Sequence, residues 1–218
     1  MKRIYLLVEG QTEETFVREV LAPHYAKARL FMTPILLRTS PGYKGGVTSY
    51  GKVKSQLTRL CRQDRGAAVT TIIDLYGLPQ DFPGKSRSDF PIAGTGVQKA
   101  KFLEARLGQD IGESNFIPYL MVHEFEAMLF SDPARFGDWS DSEDVAKDLE
   151  RVASGFRTPE DINESPQLAP SKRIMASMPS YEKTFHGPII AAEIGLDALR
   201  RRCAHFAEWL TRLERLVA

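Results

Sequence analysis

Apolar residues follow two rhythms along this chain, and the rhythm changes near the middle. In the first half, short apolar runs alternate with helical stripes. Ile4 to Val8 is apolar and β-rich, which predicts a buried strand over 3–9. A helix over 12–22 follows, with Phe16, Val17, Val20 and Leu21 on one face. Thr12 is placed to cap it, and Glu13 and Glu14 suit its first turn. A second extended run covers Pro34 to Thr39. A helix over 51–63 puts Val53, Leu57, Leu60 and Cys61 on one side. A third strand runs from Ala68 to Leu75, a helix covers 97–108, and a fourth strand runs from Phe116 to Val122. Strands alternating with helices predict an α/β fold, a mostly parallel sheet of about four strands flanked by helices.

After residue 123 the pattern offers no strand. Helical stretches are predicted at 124–130 and at 142–153, the latter with Val145, Leu149 and Val152 aligned. Thr158-Pro159-Glu160 reads as a helix start. One last helix over 196–217 aligns Leu199, Cys203, Phe206, Leu210, Leu213 and Val217, with Arg200, Arg201 and Arg202 opposite. That stripe is too short for a long coiled coil and reads as core packing. The expected organisation is an α/β core over 1–130 and a helical extension over 131–218 packed on it, as one continuous unit. The acidic stretch 131–166 is a candidate lid or insertion.

Composition narrows the class. With 43% hydrophobic and 26% charged residues in 218, the chain reads as globular. No apolar run approaches the ~20 residues that span a bilayer, so no membrane partner is expected. The start lacks the pattern of a signal peptide. Cys61 and Cys203 are the two cysteines, each on a predicted apolar helical face. They read as reduced core thiols, which predicts a cytoplasmic protein. The net charge of +1 is unevenly spread: residues 1–65 carry 12 Lys/Arg against 5 Asp/Glu, and residues 131–166 carry 4 against 10. A basic first third suits phosphate binding, and equally a solvated surface.

The acids carry the chemistry. Glu9, Asp74 and the pair Glu124 and Glu126 fall at the ends of three predicted strands, with Glu13 one turn beyond Glu9. In a parallel sheet those ends share one edge, where open α/β folds bind ligands. Carboxylates held together repel unless a cation or proton intervenes, and Mg²⁺ or Mn²⁺ is the expected cofactor. Phosphodiester cleavage then has a nucleophile in metal-bound water. Each acid taken alone also suits a helix cap or an ion pair. Lys172 and Arg173 follow a Pro-Ser turn, placed either to neutralise phosphate or to open a solvent-facing helix. His123 is a ligand, a base or a structural histidine. His186 suits a turn or helix entry, and His24 and His205 read as structural. Lys44 lies in the glycine-rich segment 42–51, whose amides suit phosphate, and Lys52 directly follows it. That segment lacks the ending of a P-loop. Tyr76, Phe82 and Phe90 flank Lys85 and Arg87, a pattern for stacking on bases or for packing a loop.

Val8-Glu9-Gly10-Gln11-Thr12-Glu13 resembles the opening motif of Toprim domains, most closely the version in the overcoming-lysogenization-defect nucleases. In that pattern an Asp-x-Asp follows a later strand. Asp74 matches its first aspartate, and Tyr76 replaces the second. The chain is more similar still to the bacterial domain-of-unknown-function 4276 family, over nearly its whole length. That likeness rests on the opening motif, Asp74 to Pro79, His123 to Phe130, Pro170 to Ile174 and Lys183 to Pro188. It implies a Toprim-like core over 1–130 and a nucleic-acid partner, DNA ranked ahead of RNA. A separately encoded ATPase and a setting in phage defence or a mobile element are also implied. The expected activity is a Mg²⁺- or Mn²⁺-dependent nuclease. Glu9, Glu13, Asp74 and Lys172 would be catalytic; Glu9, Glu13, Asp74, Glu124 and Glu126 would be metal ligands; Lys44, Lys52, Lys172 and Arg173 would contact phosphate. The alternative is a non-catalytic sensor or docking subunit of an ATPase complex, which Tyr76 favours.

Overall fold

The computed structural model describes residues 1–38, 47, 49–140, 142, 144–162 and 166–217. Its centre is β1 (Lys2–Val8), whose Ile4, Leu6 and Val8 bury on one face and Leu7 on the other. Burial on both faces is why this strand is a continuous apolar run. It pairs in parallel with β2 (Leu30–Leu36) and with β3 (Ala68–Ile72), and β4 (Phe116–Ile117) pairs with β3. The order is β2-β1-β3-β4, all parallel. The strand expected to start at Pro34 starts at Leu30 and contains Pro34. An edge strand has a single neighbour, so a proline there need not remove a ladder bond.

The fourth expected strand is interrupted. Pro118 has no N–H to give, and the Thr71 side chain bridges the gap. Its hydroxyl donates to the Tyr119 carbonyl at 2.5 Å and accepts the Tyr119 N–H at 3.2 Å. Pairing resumes where Met121 bridges Asp74, with the Met121 N–H donating to Ile73 at 2.8 Å and the Leu75 N–H to Met121 at 2.9 Å. This keeps the segments beyond β3 and β4 side by side at the carboxyl edge.

Between β1 and β2 the chain forms α1 (Gln11–Phe16), a π turn (Val17–Leu21) and α2 (Ala22–Ala26). Pro23 follows the widened turn, the usual adjustment where a residue cannot donate. The cap also differs from expectation. Gly10, not Thr12, precedes the helix, and the Glu13 carboxylate reaches back to accept the Gly10 N–H at 2.8 Å. Two helices, α3 (Tyr50–Gln63) and α4 (Gly96–Ile111), cover one sheet face through Val53, Leu57, Leu103 and Leu107. The helical C-terminal half covers the other. It contains 3₁₀ turns at Phe125–Ser131 and Pro133–Trp139, α5 (Asp144–Ser154), α6 (Pro170–Ser177), α7 (Lys183–Ile194), α8 (Leu196–Arg202) and α9 (Ala204–Glu214). One cluster of buried side chains joins Ile4, Leu6 and Phe16 to Leu149, Ile190 and Leu210. Among the described residues no helix is long and apolar enough to cross a membrane.

The last helix is two helices rather than one. Cys203 takes an extended conformation (φ −115°, ψ 92°), and α9 starts beyond it. The buried Glu160 carboxylate accepts the N–H groups of His205 and Phe206, each at 3.1 Å, so a side chain from a distant turn caps α9. The apolar stripe survives the break: Leu199, Cys203, Phe206, Leu210 and Leu213 are buried, and Val217 is exposed. Trp209 fixes α9 to the sheet through its N–H, which donates to the Thr70 hydroxyl at 2.9 Å. Replacing Glu160 by alanine strands two buried N–H groups at about 1–3 kcal/mol each. We expect a loss of about 2–4 kcal/mol in a urea melt; an unchanged midpoint would mean that water takes over the cap.

Candidate functional site

The strand order reverses direction between β1 and β3, which is where an open parallel sheet leaves a crevice at its carboxyl edge. Glu9 leaves β1 at that crevice and Asp74 lies just past β3. The two are joined directly: the Asp74 N–H donates to Glu9 Oε2 at 3.0 Å, and the Glu9 N–H donates to the Ile72 carbonyl at 3.1 Å. Gly77 stands beside Glu9 Oε1, where a Cβ would lie in ordinary contact at 3.6 Å. Glu13, one turn into α1, is buried with 6% of its surface exposed. Glu124 and Glu126 arrive from the segment after β4, at the start of the Phe125–Ser131 turn, and are 6% and 2% exposed.

Lys183 is the cation of this cluster. Its ammonium lies 2.9 Å from Glu124 and 3.3 Å from Glu126. It comes from the first residue of α7, which packs closely on α1. A Cβ at Gly187 would come within 3.2 Å of the Tyr181 hydroxyl and 3.3 Å of the Thr12 methyl. The glycine therefore sets how near α7 lies to α1, and with it the reach of Lys183.

The electrostatics record crowding. Burial, and after it the charges of Glu9, Glu13, Glu126 and Glu124, push the Asp74 carboxyl well above the usual range. Asp74 Oδ1 is buried without a hydrogen-bond partner among the described residues. Burial raises Glu9 as well, against the Asp74 N–H and Lys183, which hold it down. Burial pushes Glu13 up to about 7, with Glu9 adding to it, and burial pushes Glu126 up to about 7 despite Lys183. For Lys183 burial works the other way, but Glu126 and Glu124 outweigh it and leave the amine above its ordinary value.

A pH dependence follows. Glu13 and Glu126 hold protons more tightly folded than unfolded. The stability this supplies is complete below the ordinary value of 4.5 and is lost as pH rises through about 7. Melting temperatures taken in EDTA should fall from mildly acidic to mildly alkaline buffer. A profile that rises through neutrality would contradict the crowded cluster.

The donor set suits a hard divalent cation, since every candidate ligand atom is a carboxylate oxygen and two, Asp74 Oδ1 and Glu126 Oε1, are buried without a hydrogen-bond partner among the described residues. Among the described residues, no three His, Cys, Asp or Glu side chains are arranged to hold one ion between them. Mg²⁺ does not require three, because it is commonly held by one or two carboxylates with water and phosphate oxygens completing the shell. Glu9 and Asp74 fit that mode. Glu124 and Glu126 share the single positive charge of Lys183.

The remaining expected residues lie as follows. Lys172 is exposed on α6. On the same helix, Arg173 donates its Nε–H to the Leu168 carbonyl at 2.7 Å and lies over the Phe156 ring. Lys52 lines a recess of about 390 Å³ with Arg38 and Arg59, and Lys44 lies outside the described residues. His123 is half-buried at a left-handed φ of 66°, its ring hydrogen-bonded to the backbone of Glu160, and its partial burial lowers its pKa. His205 is buried against Glu104 at 2.8 Å, and His186 accepts the Glu182 N–H at 2.9 Å. Phe82 packs on Tyr50 and Phe90 on Phe102, while Tyr76 is left 51% exposed. Lys183 was not singled out in the sequence, because Gly187-Pro188 hides α7. The one signal was its place in a string shared with the resembling family.

No curated protein matches the chain. Among solved structures, the C-terminal region of the OLD protein of Xanthomonas campestris pv. campestris is similar at 13% identity, covering 100% of this chain and 96% of that one with a TM-score of 0.45. A likeness so distant carries no argument about function. The model of the family described as a domain of unknown function (DUF4276) matches residues 8–214, and the chain belongs to that family.

Proposed function

We propose that this protein is a Toprim-like nuclease that depends on Mg²⁺ or Mn²⁺ and hydrolyses phosphodiester bonds of nucleic acid. The observation that carries the proposal is the gathering of Glu9, Glu13, Asp74, Glu124, Glu126 and Lys183 at the carboxyl edge between β1 and β3. Glu9 and Asp74 would hold the cation, which supplies charge stabilisation at phosphate and a more acidic bound water. Glu13, with a carboxyl near 7, is suited to take a proton from an attacking water. Lys183, with its side chain 44% exposed, supplies fixed positive charge beside the site. Lys52, Lys172 and Arg173 would contact the strand away from the centre. A separately encoded ATPase partner, and a place in phage defence or a mobile element, belong to the same proposal and rest on the family resemblance.

The test is cleavage of supercoiled plasmid, single-stranded DNA and RNA by purified protein in Mn²⁺ and in Mg²⁺. Metal-dependent cleavage supports the proposal and fixes the substrate. A second reading is favoured by Lys183, which already pairs with two of the five acids. On that reading the protein is a non-catalytic docking subunit, and calorimetric titration would show no Mn²⁺ binding that depends on Glu9 and Asp74.

A further inference from the structure

The helical half carries a second feature, away from the acids in sequence. A trough of about 510 Å³ runs along α8 and α9. Its floor is small, made by Ala204, Ala207 and Thr211, and the Thr211 hydroxyl turns inward to donate to the Ala207 carbonyl at 2.9 Å. Its sides carry Arg200 and Arg201 from α8, Arg212 from α9 and Arg215 at the end of α9, against one acid, Glu208. Glu208 is engaged elsewhere, 2.7 Å from Lys101. Two of the arginines are braced: Arg200 pairs with Glu214, and Arg212 donates to the Pro118 carbonyl at 3.3 Å. Arg201 and Arg215 are exposed and pair with no acid among the described residues. Four guanidinium groups beside a floor without bulk form a concentrated positive field, and those of Arg201 and Arg215 are not used within the fold's ion pairs among the described residues.

We infer that this trough is a binding site for the phosphodiester backbone of a single nucleic-acid strand. The choice of nucleic acid rests on the nuclease proposal; the anionic character of the ligand does not. Arginine suits phosphate because its planar fork gives two parallel hydrogen bonds and its charge is fixed. Arg212 and Arg215 are three residues apart on one helix face, so their side chains can reach successive phosphates. The ligand is extended rather than a lone phosphate, because the trough does not end at Arg212. Arg212 and Glu208 also line a second recess of about 330 Å³, walled by Lys101, Pro118 and Trp209. A strand held along the arginines would continue past Arg212 into that recess.

The experiment is fluorescence anisotropy of a labelled oligothymidylate with the full-length chain in EDTA, across a series of salt concentrations. The Arg201→Ala/Arg215→Ala variant is measured beside it. Both residues are exposed and unpaired, so the variant should melt at the wild-type temperature. We expect about a 10-fold weaker affinity and a log–log salt slope shallower by about 1.4, two lost phosphate contacts at about 0.7 each. An unchanged affinity and slope would overturn the inference. So would a protein that ignores the oligonucleotide and binds polyglutamate, since the trough would then serve an acidic protein segment. Cleavage in Mn²⁺ is scored separately. Variant-sensitive binding without cleavage removes the nuclease proposal and keeps the trough. Cleavage with variant-insensitive binding does the reverse.

Discussion

Asp74→Asn should abolish metal-dependent cleavage and at the same time make the metal-free protein more stable. The two effects have one cause. Asp74 is the acid most burdened by its neighbours, raised by burial and by four other carboxylates, and its Oδ1 is buried without a partner among the described residues. Asparagine keeps the volume, removes the charge and offers the surrounding carboxylates a donor. Exchanging a strained buried charge for a neutral group commonly stabilises a fold, here by about 1–2 kcal/mol. For a chain of this size that is an increase of about 2–8 °C in melting temperature. Activity moves the other way, because one of the two carboxylates suited to the cation is gone. The loss should be on the order of 10³-fold or more in single-turnover cleavage. The rise in melting temperature that Mn²⁺ gives the wild type should shrink in parallel. Improved stability with full activity would place the metal elsewhere. Reduced stability would mean that the acid is a structural element and that the cluster is not crowded in the way its geometry indicates.

How much of this site could be read from the sequence depends on whether local chemistry or tertiary contact made each part. The ends of β1 and β3 were legible, because strands buried on both faces are unbroken apolar runs and the acids that close them stand out. The run endings alone place Glu9 and Asp74 at one edge. The cap of α1 was misread at Thr12, since a carboxylate three residues on reached back to Gly10 instead, and Thr12 is used for packing beneath Gly187. The break at Cys203 was invisible. Nothing in residues 196–217 interrupts the stripe; the cap comes from Glu160, more than forty positions earlier. Lys183 was missed for a related reason. Gly187-Pro188 has the local signature of a helix stop, yet α7 runs through it. The glycine is there for close packing and the proline is carried by a helix that tertiary contacts hold together.

Lys183 therefore carries the second large prediction. Its ammonium stands between Glu124 and Glu126 in the position that a further cation would otherwise fill, and Asp74 also feels its charge. Lys183→Met keeps much of the side-chain volume and removes the charge. Breaking a buried ion pair on one side costs about 3–5 kcal/mol. Here the lysine is partly exposed, and solvent screening reduces the expected loss to about 1–3 kcal/mol in EDTA. The diagnostic is what restores it. If Lys183 stands in for positive charge at a phosphate-processing centre, Mn²⁺ should recover more stability in the variant than it adds to the wild type, because all five acids of the cluster then lack a counter-charge. Cleavage by the variant should be depressed at low Mn²⁺ and should recover in part as Mn²⁺ is raised. Melting curves and cleavage rates across one Mn²⁺ series measure both. If the variant is destabilised and no concentration of divalent cation relieves it, the lysine and its two glutamates are an internal brace for α7. The working centre would then reduce to Glu9, Glu13 and Asp74, and the docking-subunit reading would gain the weight that the nuclease reading lost.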